Sequence, residues 1–168
     1  ERTISDPLDE KAIHLFLTAD SQVIASIRIT SGKIAKFPKK VSENYQLDNF
    51  SDFDPASLSL TTHFTVAKKW RQSQVIRVLL GAAYKTQRHL GSRFDFASCA
   101  PALVPFYEQL GYRRYGENFE TDDRDYQVPL VLLMEDVTHL RECASPFHKI
   151  AGEYENNGTS AQWFDRKF

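Results

Sequence analysis

The stretch Cys99-Ala100-Pro101-Ala102-Leu103-Val104-Pro105-Phe106-Tyr107-Glu108-Gln109-Leu110-Gly111-Tyr112 decides how this chain is read. Pro101 lacks an N–H, and its fixed φ suits the first turn of a helix. Leu103, Phe106, Tyr107 and Leu110 then recur at helical spacing, which predicts a helix with one apolar face. Gly111 can take the left-handed conformation that ends such a helix. Before it, Phe94 to Ser98 reads as a short strand. After it, Tyr112 to Phe119 and Tyr126 to Met134 read as strands around the acidic loop Glu120 to Asp125.

Further upstream, Ser57 to Val66 alternates, with Leu58, Leu60, Thr62, Phe64 and Val66 predicted on one side of a strand. A helix follows, with Val75, Leu79, Ala82 or Ala83, and Leu90 on its buried face. Lys85, Arg88 and His89 fall in its last turn, where cations complement the helix dipole, and Gly91 closes it. Ile13 to Ala19 and Gln22 to Thr30 flank Asp20-Ser21 and predict a β-hairpin. Ser31 to Pro55 reads as a long loop, with short structure around Tyr45 to Phe53. Glu135 to Phe168 reads as a polar extension without a clear pattern. Strand, helix, strand, helix, strand in the middle implies a partly parallel sheet covered by helices, an α+β architecture.

The 168 residues suit a single domain, 1–168, with 135–168 as its C-terminal extension. Lys plus Arg is 21 against 22 Asp plus Glu, a balance that argues against a dedicated nucleic-acid binder. No stretch is long and apolar enough for a transmembrane helix. Glu1 to Glu10 is polar and acidic, unlike a signal or transit peptide, and a start at Glu1 rather than Met fits a processed or trimmed chain. Cys99 and Cys143 are too few for a disulfide framework, so a reducing, cytoplasmic setting is expected.

The strand followed by a Pro-started helix and Phe106-Tyr107-Glu108-Gln109-Leu110-Gly111-Tyr112 resembles the hallmark segment of the GNAT acyltransferases. Val66-Ala67-Lys68-Lys69-Trp70-Arg71-Gln72-Ser73-Gln74-Val75-Ile76 resembles that superfamily's pyrophosphate loop, with Gln74 and Ile76 where two of its glycines stand. The resemblance spans Val23 to Met134. Ile27-Arg28-Ile29 before the long segment, Phe94-Asp95-Phe96, and the tail from Asp136 to Leu140 ending Ser145-Pro146-Phe147 are similar to the long-chain N-acyl amino acid synthases. The acyl-homoserine-lactone synthases are more distantly similar.

The resemblance implies a GNAT-like mixed, twisted sheet with helices on both faces. It implies transfer of an acyl group from a coenzyme A or acyl-carrier-protein thioester to an amine such as an amino acid, with a long chain favoured. Tyr107 becomes the general acid. Phe64, Thr65 and Val66 would pair with the pantetheine amides, and Arg71, Gln72, Ser73, Gln74, Val75 and Ile76 would hold the phosphates. The family's N-terminal elements, which help form its acceptor pocket, have almost no room before Ile13. The replaced glycines and this short N-terminus keep open a catalytically silent binding module. A short-chain, acetyl-coenzyme A-dependent enzyme is the other alternative.

The residues by themselves support parts of this reading. A strand running into a helix N-terminus offers unpaired N–H groups to phosphate, and Lys68, Lys69, Arg71 and Arg77 surround this one. A phenol such as Tyr107 can protonate a departing thiolate, or simply be core. His63, predicted on the face opposite Phe64, and His14 could deprotonate an ammonium, though a polar strand position explains them as well. Glu108 is expected to be solvated. Cys99 beside a helix start could have a lowered pKa, but a small buried residue is the simpler expectation. The acids Glu117, Glu120, Asp122, Asp123 and Asp125 lack calcium-loop spacing, so no metal is expected. Lys33, Lys36, Lys39 and Lys40 either solvate a loop or steer an acidic carrier protein. Twelve Phe suffice to line an apolar tunnel, or to pack a core.

Overall fold

A computed structural model describes residues 8–71, 73–123 and 125–168. β1 (Ile13–Ala19) and β2 (Gln22–Ser31) form the expected hairpin. Asp20 and Ser21 both have positive φ, +49° and +61°, as a two-residue turn matched to strand twist requires. β2 pairs antiparallel with β3 (Leu58–Val66), which pairs parallel with β4 (Phe94–Cys99). Between β3 and β4 runs α2 (Val75–Leu90), and α3 (Val104–Leu110) follows β4. β7 (Tyr126–Leu133) lies antiparallel to β4. The resulting order is β1-β2-β3-β4-β7, continued by β5 (Arg113–Arg114), with β6 (Phe119–Glu120) also on β7.

Both faces of the sheet are covered. On one, Ala25, Ile27, Ile29, Ala97, Leu130 and Leu132 meet Leu79, Ala83 and Tyr84 of α2 and Val104 and Leu110 of α3. On the other, Leu58, Leu60, Phe94, Phe96, Val131 and Leu133 meet Phe37, Tyr45, Leu47, Phe50 and Phe164.

Four expectations need correction. Residues 31–55 are more than a loop: the short structure expected around Tyr45 to Phe53 is a 3₁₀ turn at Leu47–Phe50, but α1 (Lys39–Asn44) precedes it and a further 3₁₀ turn follows at Pro55–Ser57. Tyr45, Leu47 and Phe50 are buried there, anchors too unevenly spaced to show a period. The segment's ends close on each other so tightly that a Cβ at Gly32 would sit 2.0 Å from the Pro55 carbonyl oxygen. The strand expected over Tyr112 to Phe119 is broken into β5 and β6. Between them Tyr115 turns inward and donates its hydroxyl to the Tyr45 carbonyl at 2.6 Å, while Gln46 bonds the Glu117 carbonyl at 3.0 Å. The tail is packed rather than shapeless, as α4 (Val137–Glu142), α5 (His148–Ala151) and α6 (Thr159–Lys167).

The fourth correction is to β3. Arg28 pairs with Thr62 and Ser26 with Thr65, so β3 carries one residue more than β2 across this step. The extra residue is a bulge, with His63 at φ +50°. A bulge reverses the alternation beyond it. Leu58 and Leu60 therefore face one core, while Phe64 and Val66 pack against the other.

Candidate active site

β3 and β4 part company early. Their register covers only Leu58–Phe94, Ser59–Asp95 and Leu60–Phe96. Beyond that point β3 runs on to Val66 with β2 as its partner, and β4 to Cys99 with β7 as its partner. Their facing edges diverge around a cavity of about 920 Å³. Thr61, Thr62, His63 and Phe64 line it from β3, Ser98 and Cys99 from β4, Tyr107 from α3, and Val41 and Tyr45 from the 31–55 segment. That segment thus provides one wall of the cavity, with Leu8 beside it.

Tyr107 is half-buried, its ring at 5.5 Å from Phe106 and 5.4 Å from Tyr112. Burial pushes its phenol up to about 12, helped by the neighbouring Cys99, Tyr45 and Asp95, so it stays protonated. Burial also pushes the Cys99 thiol up to about 11, the opposite of an activated nucleophile. Tyr45 and Ser98 share a hydrogen bond of 2.9 Å between hydroxyls on the cavity wall.

At the vertex of the split stands Asp95, 1% exposed. Ser59 donates to Oδ1 at 2.9 Å, Thr61 to Oδ2 at 2.8 Å, and Tyr112 to Oδ2 at 2.5 Å. Gln87 of α2 donates in turn to the Ser59 and Thr61 hydroxyls. Burial raises the carboxyl to about 6, while the Tyr112, Thr61 and Ser59 bonds hold it down.

A second cavity, about 420 Å³, opens at the start of α2. Arg71, Ser73, Ile76 and Arg77 line one side, Phe106 and Leu110 of α3 the other, and Cys143 and Pro146 close it. Gln74 is the N-cap of α2 but makes no side-chain cap bond, and the first intrahelical amide bond is Val78 to the Gln74 carbonyl at 3.1 Å. The amides of Val75, Ile76 and Arg77 thus have no acceptor among the described residues, as at any uncapped helix start. Arg71 Nε donates to the Val66 carbonyl at 3.3 Å, tying this turn to the end of β3. The Phe64 and Phe106 rings stack nearly parallel, centroids 6.3 Å apart, between the two cavities.

The expected site residues therefore form two groups. Phe64 and Tyr107 line the large cavity, and Arg71, Ser73 and Ile76 line the small one, with Gln74 and Val75 in the same turn. Thr65 instead turns its hydroxyl to Ser26, at 2.7 Å. The Ser73 hydroxyl is taken by the Trp70 carbonyl at 2.7 Å. Gln72 lies outside the described residues. His63 is exposed at the bulge and lines the large cavity. His14 instead bonds the Asp9 carbonyl at 3.1 Å. Lys39 and Lys40 are engaged in surface ion pairs with Glu43 and Asp122. Six of the twelve Phe are buried in the cores, and Phe50, Phe53, Phe94 and Phe96 form one aromatic cluster with Trp163. Arg28, Tyr45, Asp95 and Ser98 were not singled out for roles by sequence. They reach the split from distant segments, and only the fold brings them together.

A family model described as N-acyl amino acid synthase FeeM matches residues 1–136. Among solved structures, the N-acyl amino acid synthase FeeM from uncultured soil microbes superposes with a TM-score of 0.61. It is 12% identical, over 73% of this chain and 72% of that one. The CoA-dependent acyl-homoserine lactone synthase MesI gives 0.60 at 20% identity, over 90% and 76%. A second such synthase, BjaI, solved with SAM and isopentyl-CoA, gives 0.60 at 13%, over 84% and 69%. No curated protein matches the sequence significantly.

Proposed function

The chain belongs to the N-acyl amino acid synthase FeeM family and is an N-acyltransferase; we propose that it moves a long acyl chain from a phosphopantetheine thioester to an amine seated in the larger cavity. The observation that carries this is the early divergence of β3 and β4, which leaves a strand edge open beside Tyr107. An extended pantetheine arm pairs with the backbone of Phe64 to Val66 as an added strand would. Its phosphate end lies at the start of α2, where the Val75 and Ile76 amides and the Arg71 and Arg77 guanidiniums favour an anion. Gln74 and Ile76 leave those amides in place, which supports donor binding without the glycines. The arm displaces or slides along the Phe64–Phe106 stack, which brings the thioester to Tyr107.

The acceptor nitrogen attacks as the neutral amine, its ammonium proton having gone to His63 or to water. The nitrogen–carbon bond forms as the thioester carbonyl becomes tetrahedral. The carbon–sulfur bond then breaks, and the nitrogen sheds its second proton to water. Tyr107 donates to the sulfur as it leaves and recovers a proton from water in the open cavity. Its raised pKa keeps the phenol protonated until that moment. Most of the rate enhancement comes from holding nitrogen and thioester together. The acyl chain lies along the apolar side of the cavity, where Val41, Leu60 and Phe119 stand. Coenzyme A and an acyl carrier protein present the same arm, and a carrier would approach the lysines near α1.

The test is thiol release from acetyl through dodecanoyl thioesters, on coenzyme A and on carrier protein, with a panel of amino acids. Each buried methylene contributes about 0.8 kcal/mol, so dodecanoyl is expected to exceed acetyl in kcat/KM by at least about a hundredfold. Tyr107→Phe is expected to lower kcat by roughly 10²–10⁴-fold with little change in donor KM. A preference for acetyl replaces this reading with a short-chain one. Full activity in the Phe variant removes the acid role.

A further inference from the structure

Arg28 is 3% exposed, yet it lines the larger cavity. A guanidinium stays charged in any folded protein, so its burial requires acceptors. Nε donates to the Thr62 hydroxyl at 2.9 Å, and Nη1 meets the Asp9 carboxylate at 2.5 Å. Asp9 belongs to a short 3₁₀ turn, Asp9–Lys11, beside Leu8, which lines the same cavity. Its side chain remains 36% exposed. A partly solvated carboxylate from the chain's N-terminal side thus sits on a buried cation of the acceptor cavity.

We propose that Arg28 is the anchor for a carboxylate on the acceptor, and that Asp9 occupies the anchor as an internal competitor. This rests on the transferase reading above and adds what selects the acceptor. A guanidinium binds carboxylates in a planar, charge-assisted geometry that an ammonium cannot copy. In a buried wall it favours an acid strongly over a neutral group. The rest of the cavity is arranged to suit. Asp122, Asp123 and Asp125 line it from the acidic loop, with Asp122 paired to Lys40. An α-amino acid therefore meets a cation for its carboxylate and an acidic surround for its ammonium, which a simple amine or a simple acid does not match. Binding the acid at Nη1 replaces the Asp9 carboxylate there, so Asp9 competes with it.

The experiment compares two amides of one acyl chain by calorimetry on the full chain: N-dodecanoylglycine and N-methyldodecanamide, which lacks the carboxylate. Wild type is expected to bind the acid at least about tenfold more tightly, and Arg28→Gln to bring the two affinities together. Asp9→Asn is expected to tighten the acid severalfold and leave the neutral amide unchanged. If Arg28→Gln does not fold, as read by circular dichroism, Asp9→Asn and Arg28→Lys carry the test, the latter expected to weaken only the acid. Equal affinities in wild type overturn the proposal, as does an Asp9→Asn variant that binds the acid no more tightly. Thiol release separates the two readings. Equal turnover of phenylalanine and phenethylamine keeps the transferase and removes the anchor. No turnover with any acceptor, while the acid preference persists and is lost in Arg28→Gln, removes the transferase and keeps the anchor.

Discussion

Asp95 is buried with no ion pair among the described residues, and only neutral donors hold it. A carboxylate in that position costs free energy when it ionises. Its folded pKa, about 6, lies above that of the unfolded chain. The native state therefore binds more protons than the unfolded state between roughly pH 4 and 6, and stability attributable to Asp95 falls as pH rises through that window. An Asn has no such titration. The melting temperature of Asp95→Asn relative to wild type is expected to rise from pH 4.5 to pH 7.5 and then level off. A constant difference across that range would mean that Asp95 titrates alike in both states. Sequence showed Tyr107 because its motif is local, with the proline start, the apolar face and the terminal glycine within eleven residues. Asp95 was illegible as a hub because Ser59, Thr61, Gln87 and Tyr112 come from three other segments, and no local spacing reports such a meeting.

At the scale of elements, α3 is seven residues long and depends on how it ends. Gly111 has φ +105°, and a Cβ there would lie 2.5 Å from Leu140 Cδ2 on α4. Gly91, which ends α2, has φ +86° but open space around its would-be Cβ. Both positions carry the left-handed penalty, roughly 1–2 kcal/mol. Only Gly111 adds a steric one, roughly 1–3 kcal/mol. In urea unfolding, Gly111→Ala is expected to cost more than Gly91→Ala by about that second amount, and equal costs would show that Leu140 yields freely. Both glycines were legible as helix stops. The bulge at His63 was not, because an inserted residue leaves a plausible alternation on each side. The reversal appears only when β3 is laid against β2, where Arg28 and Ser26 fix the count. That reversal sends Phe64 toward α3 and so sets one wall of the cleft.

Across the whole molecule, α6 lies beyond the 1–136 span matched by the family model, yet it covers the same sheet face as the 31–55 segment. Its polar surface hid this in the sequence, since its large anchors, Trp163 and Phe164 with Phe168 just after it, sit among polar residues. The Trp163 ring lies 5.2 Å from Phe50, 4.8 Å from Phe53 and 5.7 Å from Phe94, and its Nε1 donates to Asp52 at 2.8 Å. Tyr45, on the cavity wall, is five residues before Phe50 and holds the Val41 and Ser98 bonds. The tail thus clamps the segment that closes the acceptor side of the split. Trp163→Ala removes a half-buried ring and one hydrogen bond, a loss of roughly 2–3 kcal/mol, below the range for a fully buried Trp. Hydrogen exchange is expected to speed up at the Tyr45, Ser51 and Phe53 amides, which bond within that segment, while amides of α2 on the opposite face hold their rates in proportion to global stability. Because the cavity wall loosens while β3 and α2 do not, the KM for the amine should rise more than the KM for the thioester. Uniform acceleration of exchange everywhere, with both KM values unchanged, would mean that α6 stabilises the fold as a whole and leaves the acceptor wall to stand by itself.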